Sequence, residues 1–161
     1  MFPVGMRIRA WTALFQEIGL IFWNTSWSKA GMFGGHYSPG AGANIYLGPV
    51  ERQYISVVSG FSARLDAQVK MTAASVSDDG VRAYALLSPK LAAAYLHHFR
   101  DHTAAVTGVK VALQLPEGNP LVAEWIDPAS GAIIARTQVQ PGNATLLAPP
   151  FRVDAAVLVT Q

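Results

Sequence analysis

From residue 68 to the end of the chain, short apolar runs alternate with turn signals about every 8–12 residues. No other feature of the sequence constrains the fold as much. The runs cover residues 69–76, 81–87, 91–99, 109–115, 121–126, 132–139, 144–147 and 153–160. Between them stand Asp78-Asp79-Gly80, Ser88-Pro89, the segment from Pro116 to Pro120, the segment from Asp127 to Gly131, and Pro141-Gly142-Asn143. Val109, Val111, Leu113 and Leu115 alternate with Lys110 and Gln114, which is the two-residue period of a half-buried strand. Seven or eight short strands separated in this way predict an antiparallel β-sandwich.

The first 67 residues follow different rules. Ile8, Trp11, Leu14 and Phe15 recur at helical spacing within 7–15. Gly19 opens an apolar run to Asn24 without polar alternation, as in a strand covered on both faces. A glycine-rich stretch with interspersed aromatics follows, too long for a simple connection. Gly48-Pro49 then starts a second helix, with Tyr54, Val57, Val58, Phe61 and Leu65 on its apolar face. The expected organisation is a helix-strand-loop-helix segment over 1–67 and a sandwich over 68–161. A lone apolar strand at 18–24 would leave backbone groups unpaired. Segment 1–67 is therefore expected to pack on the sandwich or on a second copy, giving a homo-oligomer through that strand.

Composition removes several classes of function. With no cysteine there is no disulfide framework, thiolate catalysis or Cys-ligated metal. Twelve basic against ten acidic residues leave a net charge of +2, so no nucleic-acid partner is expected. Arg7 and Arg9 precede an apolar run in the manner of a signal peptide, but Gln16 and Glu17 interrupt it and no small-x-small site follows. The uninterrupted stretch 18–23 is far short of the ~20 residues of a membrane helix. No membrane partner is expected either.

The run GLIFWNTSW, the glycine loop and ANIYLGPVERQYISVVSGF resemble the end of the (β/α)8 barrel in bacterial cellulase-like glycoside hydrolases. VRAYALLSPKLAAAYLHHF, VALQLPEG, AEWIDPASGAII and TLLAPPFRVDAAVLV resemble their C-terminal β-sandwich, similar to the domain described as collagen-binding in such enzymes. The resemblance implies a mainly β chain: an antiparallel sandwich of seven or eight strands preceded by an α-β-α remnant of the barrel. It also implies that the two catalytic glutamates of retaining members lie on earlier barrel strands. Glu17, Glu51, Glu117 and Glu124 match neither position, so a complete glycosidase is not expected. Trp23, Asn24 and Trp27 would form the rim of a sugar site. Full-length relatives are typically exported, which sets an expectation for the parent enzyme but none for this chain.

A second cluster carries its own chemistry. His97, His98, Asp101 and His102 lie within six residues, and imidazole with carboxylate suits zinc or another divalent metal that activates water. The spacing partly resembles the H-x-H-x-D-H signature of metallo-β-lactamase-like hydrolases, but Phe99 stands where its second histidine should be. The competing expectation is that strand alternation points His97 and His98 to opposite faces. Asp78-Asp79-Gly80 and the segment from Asp127 to Gly131 offer oxygens to calcium, or simply form tight turns. Trp125, Tyr84 and Tyr95 could stack on sugar rings or fill the core.

Three readings follow. One is a glycoside-hydrolase-related sandwich that lacks the carboxylate pair and binds carbohydrate or another partner. Another is a small hydrolase using a metal-activated water on a lactone or ester. The last is a structural, oligomer-forming module.

Overall fold

The computed structural model describes residues 3–19 and 48–161. Two helices, α1 (Pro3–Phe15) and α2 (Pro49–Ser62), precede nine strands. These are β1 (Lys70–Thr72), β2 (Ala74–Val76), β3 (Val81–Leu87), β4 (Leu91–His98), β5 (Lys110–Leu115), β6 (Leu121–Ile126), β7 (Ile133–Val139), β8 (Gly142–Leu147) and β9 (Asp154–Thr160). They form a six-stranded sheet, β1-β3-β4-β9-β6-β7, and a three-stranded sheet, β2-β5-β8. All pairings are antiparallel. The expected sandwich is present. Of the strand expected over 19–24, residues 20–24 lie outside the described residues.

One expected strand is divided. Residues 69–76 pass from the large sheet to the small one: β1 pairs with β3, and β2 with β5. Ala73 stands at the crossing, so one apolar run serves both layers, as at the corners of packed sheets.

The large sheet is covered on both faces. Against the small sheet, Leu96, Leu121, Trp125 and Val157 meet Val109, Val111 and Leu115, all buried. On the opposite face Leu86, Ala93, Tyr95, Ala156 and Leu158 meet Trp11, Phe15 and Phe61 of the helices. This double burial explains LAAAYL in β4 and DAAVLV in β9, where hardly any position reaches solvent. Trp125 and Tyr95 are core residues (2% and 0% exposed), so neither is a free sugar platform. Tyr84 is half-buried and stacks on Tyr95, 6.3 Å between ring centroids.

The helical layer is locked by a polar contact inside this apolar interface. Arg7 donates twice to Asp154, Nε to Oδ2 at 3.0 Å and Nη2 to Oδ1 at 2.7 Å, with both residues buried. The Tyr95 hydroxyl donates to Asp154 Oδ2 at 2.9 Å. The Arg7 guanidinium also lies 4.7 Å from the Tyr54 ring, which ties α2 to the same point. Burial pushes the Asp154 carboxyl above its ordinary range against the opposing pull of Arg7. Tyr95 is pushed well above its own, by burial first and Asp154 second, so it keeps the proton it donates.

Helix α1 ends in a Schellman motif. Ile18 N donates to Ala13 O and Glu17 N to Leu14 O, with Glu17 at φ 52°. A glutamate tolerates this left-handed position because its carboxylate accepts from Met71 N (3.0 Å) on edge strand β1 and pairs with Lys70 Nζ (3.4 Å).

Replacing Arg7 by Met should cost about 3–5 kcal/mol in urea unfolding, because it strands the buried Asp154 carboxylate. Adding Asp154→Leu should restore much of that loss. At the helix end, Glu17→Ala should destabilise more than Glu17→Gly by roughly 1 kcal/mol, since glycine relieves the left-handed strain while both lose the carboxylate.

Candidate functional site

Strand β4 carries His97 and His98 at its end, and the loop after it carries Asp101 and His102. Consecutive strand residues point to opposite faces, and the two histidines separate accordingly. His97 pairs in register with Arg82 of β3 and Asp154 of β9, on the helix-facing side. His98 turns to the other side against the turn at Gly80, where an added Cβ would lie 3.2 Å from its Nε2.

The loop brings one histidine back. The Asp101 carboxylate accepts from Thr103 N and Thr103 Oγ1, both at 2.7 Å, and these bonds hold its pKa below the ordinary value. Arg152 Nη1 donates to Thr103 O at 2.8 Å, anchoring the same segment. The chain thus folds back, and His102 Nε2 lies 3.0 Å from His97 Nε2, with ring centroids 5.2 Å apart. Burial, then the neighbouring His102, Arg82 and His98, lowers the His97 pKa from 6.5 to about 4. His97 is therefore neutral at neutral pH, and one ring nitrogen of the pair donates to the other.

Of the expected metal set, the structure joins His97 and His102, faces His98 the other way, and commits Asp101 to its own loop. Among the described residues no three His, Asp or Glu converge where a metal could bind. The rim residues Trp23, Asn24 and Trp27 lie outside the described residues. Around the pair, Arg82 stacks on Phe99 at 4.4 Å, and Arg100 makes a two-bond contact to Asp79 (3.2 and 3.0 Å).

The aspartate turns behave as turns. Asp78 Oδ1 accepts from Gly80 N at 2.7 Å. Asp127 accepts from Ala129 N (3.0 Å) and Ser130 Oγ (2.6 Å), ahead of Gly131 at φ 78°. Glu124 lies between Arg136 (2.7 Å) and Arg64 (2.5 Å), and hydrogen bonds from Arg136 and then Arg64 lower its pKa. A carboxyl held ionised in this way is the opposite of a general acid, whose pKa must be raised. On the outer face of the small sheet an open cavity of about 480 Å³ is lined by Thr72, Ser75, Gln114, Asn143 and Thr145 among small apolar residues.

Arg7 and Asp154 were not expected as partners. Two signals pointed to them: an arginine four residues before Trp11 on an apolar helix face, and an aspartate opening an otherwise apolar strand.

No protein-family profile and no curated protein matches the sequence. Solved structures do. A glycoside hydrolase aligns with 100% of this chain and 37% of its own, at a TM-score of 0.65 and 13% identity. A glycoside hydrolase family 30 subfamily 8 xylanase from Clostridium acetobutylicum aligns with 99% of the chain and 39% of its own (TM-score 0.47, 15% identity). A GH30 endoxylanase from Clostridium papyrosolvens C71 aligns with 67% and 28% (TM-score 0.45, 18% identity). The chain thus spans well under half of each of these proteins. At TM-score 0.65 and 13% identity the first alignment shows a shared fold: the chain has the architecture of part of a glycoside hydrolase.

Because folding lowers the His97 pKa, the unfolded chain takes up this proton more readily. Its stability contribution is intact above about pH 6.5 and falls as the pH drops toward 4. In chelator-treated buffer, His97→Gln should flatten the decline in urea midpoint between pH 7 and pH 4.5. An unchanged decline would assign it to other groups.

Proposed function

We propose that this chain is the β-sandwich module of a carbohydrate-processing enzyme, with the helices that seat it, and that it binds glycan or a partner domain without supplying the hydrolytic carboxylates. The observation that carries this reading is the alignment of the whole chain, helices and both sheets together, with part of a glycoside hydrolase. The helices belong to the same unit as the sandwich, because the face they cover contains Leu86, Ala93, Ala156 and Leu158 and would otherwise be open to water. The state of Glu124, ionised between two arginines, also speaks against glycosidase acid chemistry at that position. By the resemblance in sequence, Trp23, Asn24 and Trp27 are the residues to contact sugar.

A metal-activated hydrolase is less well supported, since of its four expected ligands only His97 and His102 meet. The purified chain should be retarded in native gels containing soluble xylan or β-glucan, releasing no reducing ends, and Trp23→Ala should weaken the retardation. Turnover of either polymer that is lost in Glu124→Gln would overturn the proposal. Mobility unchanged by any polymer would reduce the module to a structural role.

A further inference from the structure

We propose that Arg82, His102 and the paired His97 form a site for a compact oxyanion of the phosphate or sulfate type, where the ends of β3 and β4 meet the loop that follows β4. The site is independent of the carbohydrate reading. Its basis is the sorting of charge between the two faces of the sheet at that end. Asp78 and Asp101 keep company with His98: Asp78 Oδ1 and His98 Nε2 would each lie 3.2 Å from a Cβ at Gly80, and His98 acts electrostatically on Asp101. Arg82 and His97 are cross-strand neighbours on the helix-facing side. The carboxylate in register with them, Asp154, is already closed off by Arg7 and Tyr95. The charges that act on His97 are accordingly His102, Arg82 and His98, and no carboxylate opposes them.

Arg82 is held in place with its donors unused. Its guanidinium lies over the exposed Phe99 ring at 4.4 Å, and among the described residues it makes no hydrogen bond or salt bridge. Arg7, Arg64, Arg100 and Arg136 are by contrast each bonded to a carboxylate. Arg152 donates to Thr103 O, which brings a further guanidinium without a carboxylate partner among the described residues to the loop that carries His102. The imidazole pair supplies the remaining donor. Its ring-to-ring bond uses one nitrogen of each ring. A proton added to the ring that donates turns its other nitrogen into a second donor and keeps the bond between the rings. A bound anion favours that proton. Two oxygens for the guanidinium fork and a third for the imidazolium are what phosphate or sulfate offers and a carboxylate does not.

The test is titration of the full chain with sodium sulfate and with sodium phosphate, at about pH 6 and constant ionic strength, where histidine readily takes up a proton. Nitrogen-resolved NMR of the arginine Nε–H and histidine ring signals should show one saturable binding event centred on Arg82 and His102. Arg82→Gln and His102→Gln should each weaken it by roughly tenfold, the loss expected for one charged hydrogen bond. His102 is on an exposed loop, so its variant reports on the site independently of the folding of β3. Arg100→Gln, whose charge is already matched by Asp79, should change the affinity by less than about twofold. Native gels containing dextran sulfate or plain dextran separate the two sources of such an anion. Retardation by dextran sulfate alone assigns it to an ester on a polymer, and binding of the inorganic ions without retardation assigns it to the free ion. No saturable shift in the wild-type chain with either ion, an affinity unchanged in Arg82→Gln and His102→Gln, or an equal loss in Arg100→Gln would each overturn the proposal.

Discussion

An aspartate at the head of a strand buried on both faces has to be met by a partner, and much of this structure is arranged around that requirement. Asp154 lies in the middle layer of a three-layer stack, between the small sheet and the helices. Left alone there, a carboxylate would be costly. Arg7 reaches it with two parallel N–H···O bonds and Tyr95 adds a third donor. Since a guanidinium fork fits a carboxylate in only a few orientations, the pair sets where α1 sits on the sheet as well as whether it binds. The aromatic contacts around it then follow. Trp11 stacks on Tyr95 at 5.4 Å and packs on Phe61 at 4.8 Å. Such an interface holds the helices in register with the strands and resists their removal.

The six-stranded sheet therefore supports two cores at once. Alanines at 92, 93, 94, 155 and 156 keep its centre thin enough for layers on both faces, while Trp125, Leu121 and Leu115 supply the bulk between the sheets. The polar features lie at the ends and outer surfaces: the histidine loop after β4 and the open cavity of neutral polar residues on the small sheet. In a division of this kind the stiff middle layer fixes the geometry of the loops at its ends.

Much of the fold was legible because turn chemistry is local. Asp127 to Gly131 reads as a turn from its residues alone, and the structure shows Asp127 capping it and Gly131 in the left-handed region. The strands 81–87 and 121–126 were likewise bounded by the signals on either side. The division of residues 69–76 was not legible, because a strand that changes sheets carries no mark in its apolar pattern. The pairing of Arg7 was not legible for a related reason: its partner lies 147 residues away. The histidine cluster was half legible: strand alternation predicts that His97 and His98 part company, while the return of His102 depends on how Asp101 shapes the loop.

The sequence by itself determined the local alternation of apolar and polar residues and the positions of the turns. From these come the antiparallel strands and the two flanking helices, since both depend on residues within a few positions of each other. Only the tertiary structure decided which strands share a sheet, that Arg7 meets Asp154, and that His102 rather than His98 faces His97. Each of those outcomes is a contact between groups whose meeting depends on how the whole chain, or a loop within it, closes. Their energies arise from burial and geometry that exist only once the layers are assembled.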